Sequence, residues 1–325
     1  ILDTKNKKIE IFQLDHTSFK APVINDTIRA AVTLNAKCRL TQSFIKGTLL
    51  CVKRNKKGTV VLSADGKELR PFAAEIKNPT AIHSDQRSVA LLQGNKLHTY
   101  SSDGNNMFEI GRYGISAGAF KDPKDVFIAQ GQFYVTDMGN NRVQVFSADG
   151  QFIEEIKAGK SASKLFGKVG PIAIDSKKNL YLADKDGSGS IRVIDKARSL
   201  VTSIGGGKGS SIHKIETVQA LDVDKQDRLY VLASTDFNPY QIQIFKDYKL
   251  LRTFGAADAN GTEFYFDKVS SMSVVSSKTN SVFLNDVELN QLSRYDLHEF
   301  PDPAFGLRIA ANNKQVNFEW SSSRS

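Results

Sequence analysis

The stretch FYVTDMGNNRVQVFSADGQFIEEIK, residues 133–157, packs three apolar, β-branched runs and two tight turns into one short segment, and fainter copies of it return along the chain. The Asp-Gly turn that ends VFSADG at Gly150 has counterparts in VLSADG at Gly66 and TYSSDG at Gly104. Weaker copies stand in VIDKAR at Arg198, IFKDYK at Lys249 and RYDLHE at Glu299. Successive spacings of 38, 46, 48, 51 and 50 residues indicate one supersecondary unit per repeat, stacked on its neighbours.

Each unit reads alike. A short apolar strand (PKDVFIA, PIAID, VQALDV, SSMSVV) meets a tight turn, then a second strand (FYVTD, LYLAD, LYVLAS, VFLND). A polar turn, a third strand (RVQVF, IRVID, QIQIF, LSRYD), another turn and a fourth strand (QFIEEI, SLVTSI, KLLRTF) follow. Alternation and β-branched enrichment mark strands, Gly, Asp and Asn punctuate them, and a helical period is almost absent. Four antiparallel strands per repeat predict an all-β fold of propeller blades, with the apolar first strand at the centre and the polar fourth at the rim.

Six repeats fit: 38–73, 78–111, 121–157, 170–205, 218–255 and 269–300. The sixth runs into EFPDP before a fourth strand can form, and an unpaired blade edge is a liability. The alternating segment KKIEIFQL, residues 7–14, is therefore expected to close the ring as its outer strand. A competing seventh blade is suggested by the gapless match of LDTKNKKIEIF to TDMGNNRVQVF. The 25 residues after Phe300 are too few to supply the three strands it would need.

The segment DPKDVFIAQGQFYVTDMGNNRVQVFSADGQFIEEI resembles an NHL repeat, a family of six-bladed β-propellers whose pattern combines Asp, Asn-Arg, Val-x-Val-Phe and Asp-Gly. The resemblance extends more weakly over residues 40–300. The tail PDPAFGLRIAANNKQVNFEWSSSRS differs. Its prolines read as a linker, and Leu307 with the alternating Val316, Phe318 and Trp320 resembles the opening strands of a fibronectin type III domain. The expected division is a propeller over residues 1–300 and a linker plus incomplete second domain over 301–325. The chain opens on Ile1, consistent with a removed leader or a fragment, and the fibronectin resemblance implies a native chain that continues beyond Ser325.

Chemistry is scarce in the repeat. Positions just before the inner strands offer Thr80, Asp122 with Asp125, Pro171, Gln219 and Ser271, too few carboxylates for calcium and no histidine for zinc. The five histidines fall at different phases and read as solvated loop and strand-edge residues. GGGKGSS, residues 205–211, lacks the spacing of a phosphate-binding loop and reads as an inter-blade connection. Asp137, Asp184 and Asp286 end second strands, where a carboxylate can accept backbone N–H groups of the next turn. Arg142 is expected to pair with Asp137 or with a neighbouring blade. Cys38 and Cys51 are expected to be buried thiols, a bridge between them being the alternative. No catalytic residue, metal or cofactor is expected.

The net charge of +9 and pI near 9.3 favour an acidic protein partner, or a polyanion. The loops expected on one face carry Lys53, Arg54, Lys56, Lys57, Arg112, Lys121, Lys124, Arg142, Lys160, Lys164 and Lys168, with Phe166 among them. These are the candidate partner-binding residues. Together with the fibronectin-like tail, the resemblance implies a non-enzymatic interaction propeller of an exported, periplasmic or surface bacterial protein. The alternatives are a nucleic-acid-binding NHL propeller and a propeller hydrolase or lyase with a degenerate site.

Overall fold

A computed structural model describes residues 2–3, 8–9, 28–34, 36–54, 58–85, 87–159, 164–186, 189–205, 215–234, 240–255, 266, 268–276, 280–286, 289–297, 308–312 and 315–319. Six four-stranded antiparallel sheets follow one another in chain order, each contacting the next through its inner strand. The blades run Cys38–Phe72, Ala81–Ile110, Pro123–Lys157, Val169–Gly205 and Thr217–Phe254, with the sixth starting at Val269. Inner strands of blade six and blade one meet, so the sheets form a ring. It is an all-β, six-bladed propeller.

Burial follows from this packing. The second strands Leu180–Asp184 and Ser281–Asp286 are buried throughout, because each blade presents both faces to neighbours and continuous apolar runs result. The fourth strands Glu68–Phe72, Phe152–Lys157 and Leu200–Gly205 are largely solvent-facing. Five of the six blades carry a register shift at the start of the inner strand, between Cys38 and Leu40, Pro123 and Asp125, Val169 and Ile172, Val218 and Ala220, and Val269 and Ser271. Such bulges sharpen local twist and re-aim side chains.

The ring is closed by an N-terminal strand, but not by residues 7–14. Ile28–Leu34 pairs with Gln291–Leu297 and completes blade six. Lys8–Ile9 instead pairs with Leu2–Asp3 in a separate short ladder, and residue 7 and residues 10–14 lie outside the described residues. The apolar-polar alternation of 7–14 was a misleading cue. IRAAVTL is weakly alternating, yet it directly precedes the inner strand of blade one and is better placed to reach the open edge.

Cys38 and Cys51 form a disulfide, with Cα atoms 5.5 Å apart, contrary to the expectation of free thiols. They sit on the adjacent inner and second strands of blade one. The bridge lies in an apolar cluster with Leu34, Leu49, Val60, Leu62, Phe283 and Leu292, which joins the closing strand, blade six and blade one. Arg54 also spans this seam, donating to the carbonyls of Cys38 and Asp286 at 2.9 and 3.0 Å.

Two outcomes test this closure. Deleting residues 1–34 should lower the melting temperature by at least about 5 °C and promote association through the bared edge, whereas deleting residues 1–9 should have the smaller effect; equal effects would contradict the assignment. Cys38→Ser with Cys51→Ser should cost about 2–4 kcal/mol in denaturant unfolding, and thiol titration of the unreduced chain should find no reactive sulfhydryl.

Candidate functional site

An inner strand is an edge strand, so its channel-side N–H groups need partners. In four of the six blades polar side chains of the preceding blade supply partners. His83 Nδ1 accepts from Ile128 N at 3.0 Å, and an Asp125 oxygen accepts from Ile172 N at 3.0 Å. An Asp222 oxygen accepts from Val274 N at 2.8 Å, and the Ser271 and Ser273 hydroxyls accept from Thr41 N and Ser43 N. Each bond reaches from one blade to the next around the ring.

The channel these residues line has two chambers. The upper, about 300 Å³, is walled by Ile82, Phe127, Leu221 and Met272, with Lys124, Pro171, Lys185, Gln219 and Ser270 among its lining residues. The lower, about 310 Å³, includes Asp85, Asp175 and Asp224. Gln42, His83, Phe127 and Asp222 border both. The His83 ring lies 3.9 Å from that of Phe127. Burial pushes His83 down to about 3, which keeps it neutral, and its accepting Nδ1 places the proton on Nε2. Burial raises Asp222 to about 7, with repulsion from Asp224 and Asp125 adding to the effect. Burial likewise raises Asp125 to about 6, against the pull of the Ile172 and Val126 N–H groups and Lys185. Among the described residues no three His, Cys, Asp or Glu side chains converge as a metal would require.

On the face carrying the loops between second and third strands, the signature of blade three organises a loop. Asp137, fully buried, accepts Lys121 N at 2.7 Å and pairs with Arg142 at 2.9 Å. The Arg142 guanidinium also donates to Glu155 at 2.8 Å and to the carbonyls of Ser116 and Ala119, both at 2.9 Å. Gln144 donates to Ala119 O and accepts from Gly118 N; Asn140 donates to Gly114 O. Asp184 plays the same part in blade four, accepting Gly167 N and Lys168 N. The carboxylates ending second strands thus hold mainly the loop that enters their own blade, although Asp286 also accepts Leu289 N in the following turn.

The candidate partner-binding residues separate into groups. Arg112, Lys121, Lys124, Lys164 and Lys168 are exposed; Lys124 pairs with Asp122 at 2.7 Å. Lys53 is half-buried and pairs with Glu68 at 2.6 Å, and Arg54 belongs to the seam. Arg142 and Phe166 are buried, at 4% and 0% exposure, and are corrected from contact residues to structural ones. Lys56, Lys57 and Lys160 lie outside the described residues. His83 and His98 are buried, not solvated, and His16, His213 and His298 lie outside the described residues. Asp222 and Ile115 went unremarked in the sequence; Asp222 stands inside VQALDV, the inner strand of blade five, where the alternation marks a strand but not which residue faces the next blade.

Residues 120–146 match the NHL repeat model. No curated protein matches the chain significantly in sequence. Among solved structures, virginiamycin B lyase from Staphylococcus aureus superposes with a TM-score of 0.53 at 13% identity, covering 83% of this chain and 99% of that one. A structural genomics protein of unknown function from Bacteroides thetaiotaomicron gives 0.58 at 15%, covering 84% and 72%. Hydrazine synthase from Kuenenia stuttgartiensis gives 0.54 at 13%, covering 82% and 78%. At these identities the likeness is one of fold.

The buried carboxylates make a pH prediction. A raised folded pKa means that the folded chain holds its proton more tightly than the unfolded chain, so the stabilisation is present at low pH and is lost as pH rises through the folded value. The melting temperature of the wild type relative to Asp222→Asn should therefore fall from about pH 5 to about pH 8. A difference that stays constant with pH would show that Asp222 titrates normally.

Proposed function

We propose that this chain is a non-enzymatic interaction propeller of an exported protein, docking an acidic protein partner on its basic loop face. The observation that carries this reading is the division of labour among the polar side chains. Asp125, Asp222, His83, Ser271 and Ser273 hold the adjacent blade's backbone, whereas Arg112, Lys121, Lys164 and Lys168 on the loop face are exposed. Carboxylates fastened to backbone N–H groups suit a scaffold better than proton transfer. Clustered, solvated cations accelerate encounter with an acidic surface.

The disulfide supports export, since such bridges persist in oxidising compartments. The antiparallel hairpin of Arg308–Asn312 with Gln315–Glu319 suits the opening of a fibronectin-like domain, and on this reading the propeller is one module of a multidomain surface or periplasmic protein.

The test is capture on immobilised polyglutamate, with polyuridylate alongside. Lys121→Glu, Lys164→Glu and Lys168→Glu combined should weaken polyglutamate capture strongly at low salt and less at high salt, with folding intact because the positions are exposed. Lys177→Glu with Lys178→Glu, in a turn at the other end of the blade, should leave capture unchanged. Loss only with this second pair, or preferential retention on polyuridylate, would reject the reading.

A further inference from the structure

Residues 111–121 link blade two to blade three and are built as a rigid display. Gly111, Gly114 and Gly118 adopt φ values of 124°, 156° and 70°, and a Cβ at Gly111 would lie 2.2 Å from the Asn95 carbonyl oxygen. The loop folds on itself: Phe120 N donates to Arg112 O at 2.8 Å, Gly114 N to Phe120 O at 3.1 Å and Ala119 N to Ser116 O at 3.1 Å. Its far end is a plug, with Ala119 and Phe120 fully buried and the Phe120 ring edge-on to Phe146 at 6.0 Å. Its near end faces solvent. Tyr113 is 69% exposed and Ile115 is 79% exposed, the highest values among exposed large hydrophobics of the described residues.

Three polar side chains of blade three converge on this loop. Arg142, Gln144 and Asn140 bind four of its backbone carbonyl and amide positions, at Gly114, Ser116, Gly118 and Ala119. Arg142 is itself held by Asp137 and Glu155. Fixing a surface loop with a buried, paired guanidinium makes sense where the loop's shape matters, and the side chains that this shape projects are Tyr113 and Ile115. Ordering before binding lowers the entropic cost of association, and tyrosine in a pre-ordered apolar setting is a recurrent anchor of protein interfaces. Around the pair, Arg112 and Lys121 are exposed, while Lys124 and Asp122 offset one another in an ion pair. The local excess is positive, so the complementary ligand is negative.

We infer that residues 111–121 form the anchor of the partner site and take an extended acidic peptide segment bearing a bulky apolar side chain. The apolar side chain rests on Tyr113 and Ile115, and carboxylates beside it meet the charge of Arg112 and Lys121. This inference rests on the reading of the loop face as a protein-docking surface. It adds to it a location, an apolar requirement and a role for Arg142 as a positioning residue.

The test uses fluorescence polarisation of short labelled peptides with the full chain. One set is acidic around a central Leu or Trp, one is acidic without an apolar residue, and one carries Lys in place of Glu; labelled oligouridylate is the fourth probe. The acidic-apolar set should bind best, and Tyr113→Ala with Ile115→Ala should weaken it about tenfold or more with an unchanged melting temperature. If acidic peptides bind equally with and without the apolar residue, or the double variant binds as the wild type does, the anchor is rejected while the loop-face reading stands. If none of the peptides binds, or oligouridylate binds best, both fall. Arg142→Lys provides the independent arm: amide exchange at residues 113–119 should quicken and peptide affinity should drop, although no exposed side chain has changed. Unaltered exchange would reject the positioning role.

Discussion

A ring of sheets is stable only if its last sheet is finished, and here the finishing strand comes from the other end of the chain. Ile28–Leu34 hydrogen-bonds along Gln291–Leu297, removing an unpaired edge and converting a row of blades into a closed body. The region around that junction is reinforced three times. The disulfide joins the first two strands of blade one, Arg54 bridges carbonyls of blades one and six, and Leu34 packs with Phe283 and Leu292. Covalent, polar and apolar contacts concentrate where the two chain ends meet, because there the hydrogen bonds of Ile28–Leu34 to Gln291–Leu297 join segments far apart in the sequence.

Closure leaves a second problem, the six inner edges that face the channel. At four of them, in blades one, three, four and six, N–H groups are met by side chains from the preceding blade, and the residue type sets the character of the channel. Hydroxyls serve between blades six and one, an imidazole between two and three, and carboxylates between three and four and between five and six. A buried carboxylate can accept the bond in its neutral form as well, through its carbonyl oxygen, which is why raised pKa values at Asp125 and Asp222 are compatible with a structural role. Perturbed titration in a cavity is an argument for chemistry only when the group is free to exchange protons with a ligand, and these two are each tied to two backbone amides.

Much of the fold was legible in the sequence because each blade repeats a local pattern: alternation, Asp-Gly turns and Asn-rich turns sit at equal phase, and the six blade boundaries follow from them. The pairing of Asp137 with Arg142 was legible for the same reason. What was not legible depends on non-local geometry. The closing strand is selected by position in the ring, so the better alternation of residues 7–14 misled. The bulges at the inner-strand starts add a residue in the middle of the pattern, so Lys124 and Ser270 occupy the shifted positions while Asp125 and Ser271 turn to the next blade. Phe166 and Arg142 were misassigned to the surface because a loop residue in sequence can be a core residue in space. The Cys38–Cys51 contact required knowing that the two strands pair in the register that brings their Cα atoms within bridging distance.

The same blade signature links the interior to the surface. Asp137 is buried without a charge of its own to spare: it neutralises Arg142, and Arg142 then has donors left for the carbonyls of Ser116 and Ala119. A guanidinium suits this task because its planar fork offers five donors, so one ion pair can be satisfied while other N–H groups reach the backbone. Lysine at that position could neutralise Asp137 but could not hold two carbonyls and Glu155 in one plane. In blade four the equivalent Asp184 pairs with Arg192 at 3.1 Å, and its oxygens hold Gly167 and Lys168 directly. Blades three and four therefore both place an acid–arginine pair behind the incoming loop, with the arginine two positions further along the third strand in blade four, and the loops they support expose different side chains, Tyr113 and Ile115 before blade three and lysines before blade four. Recognition on this face is set by loop side chains and rigidity by the blade, which lets the two be altered separately.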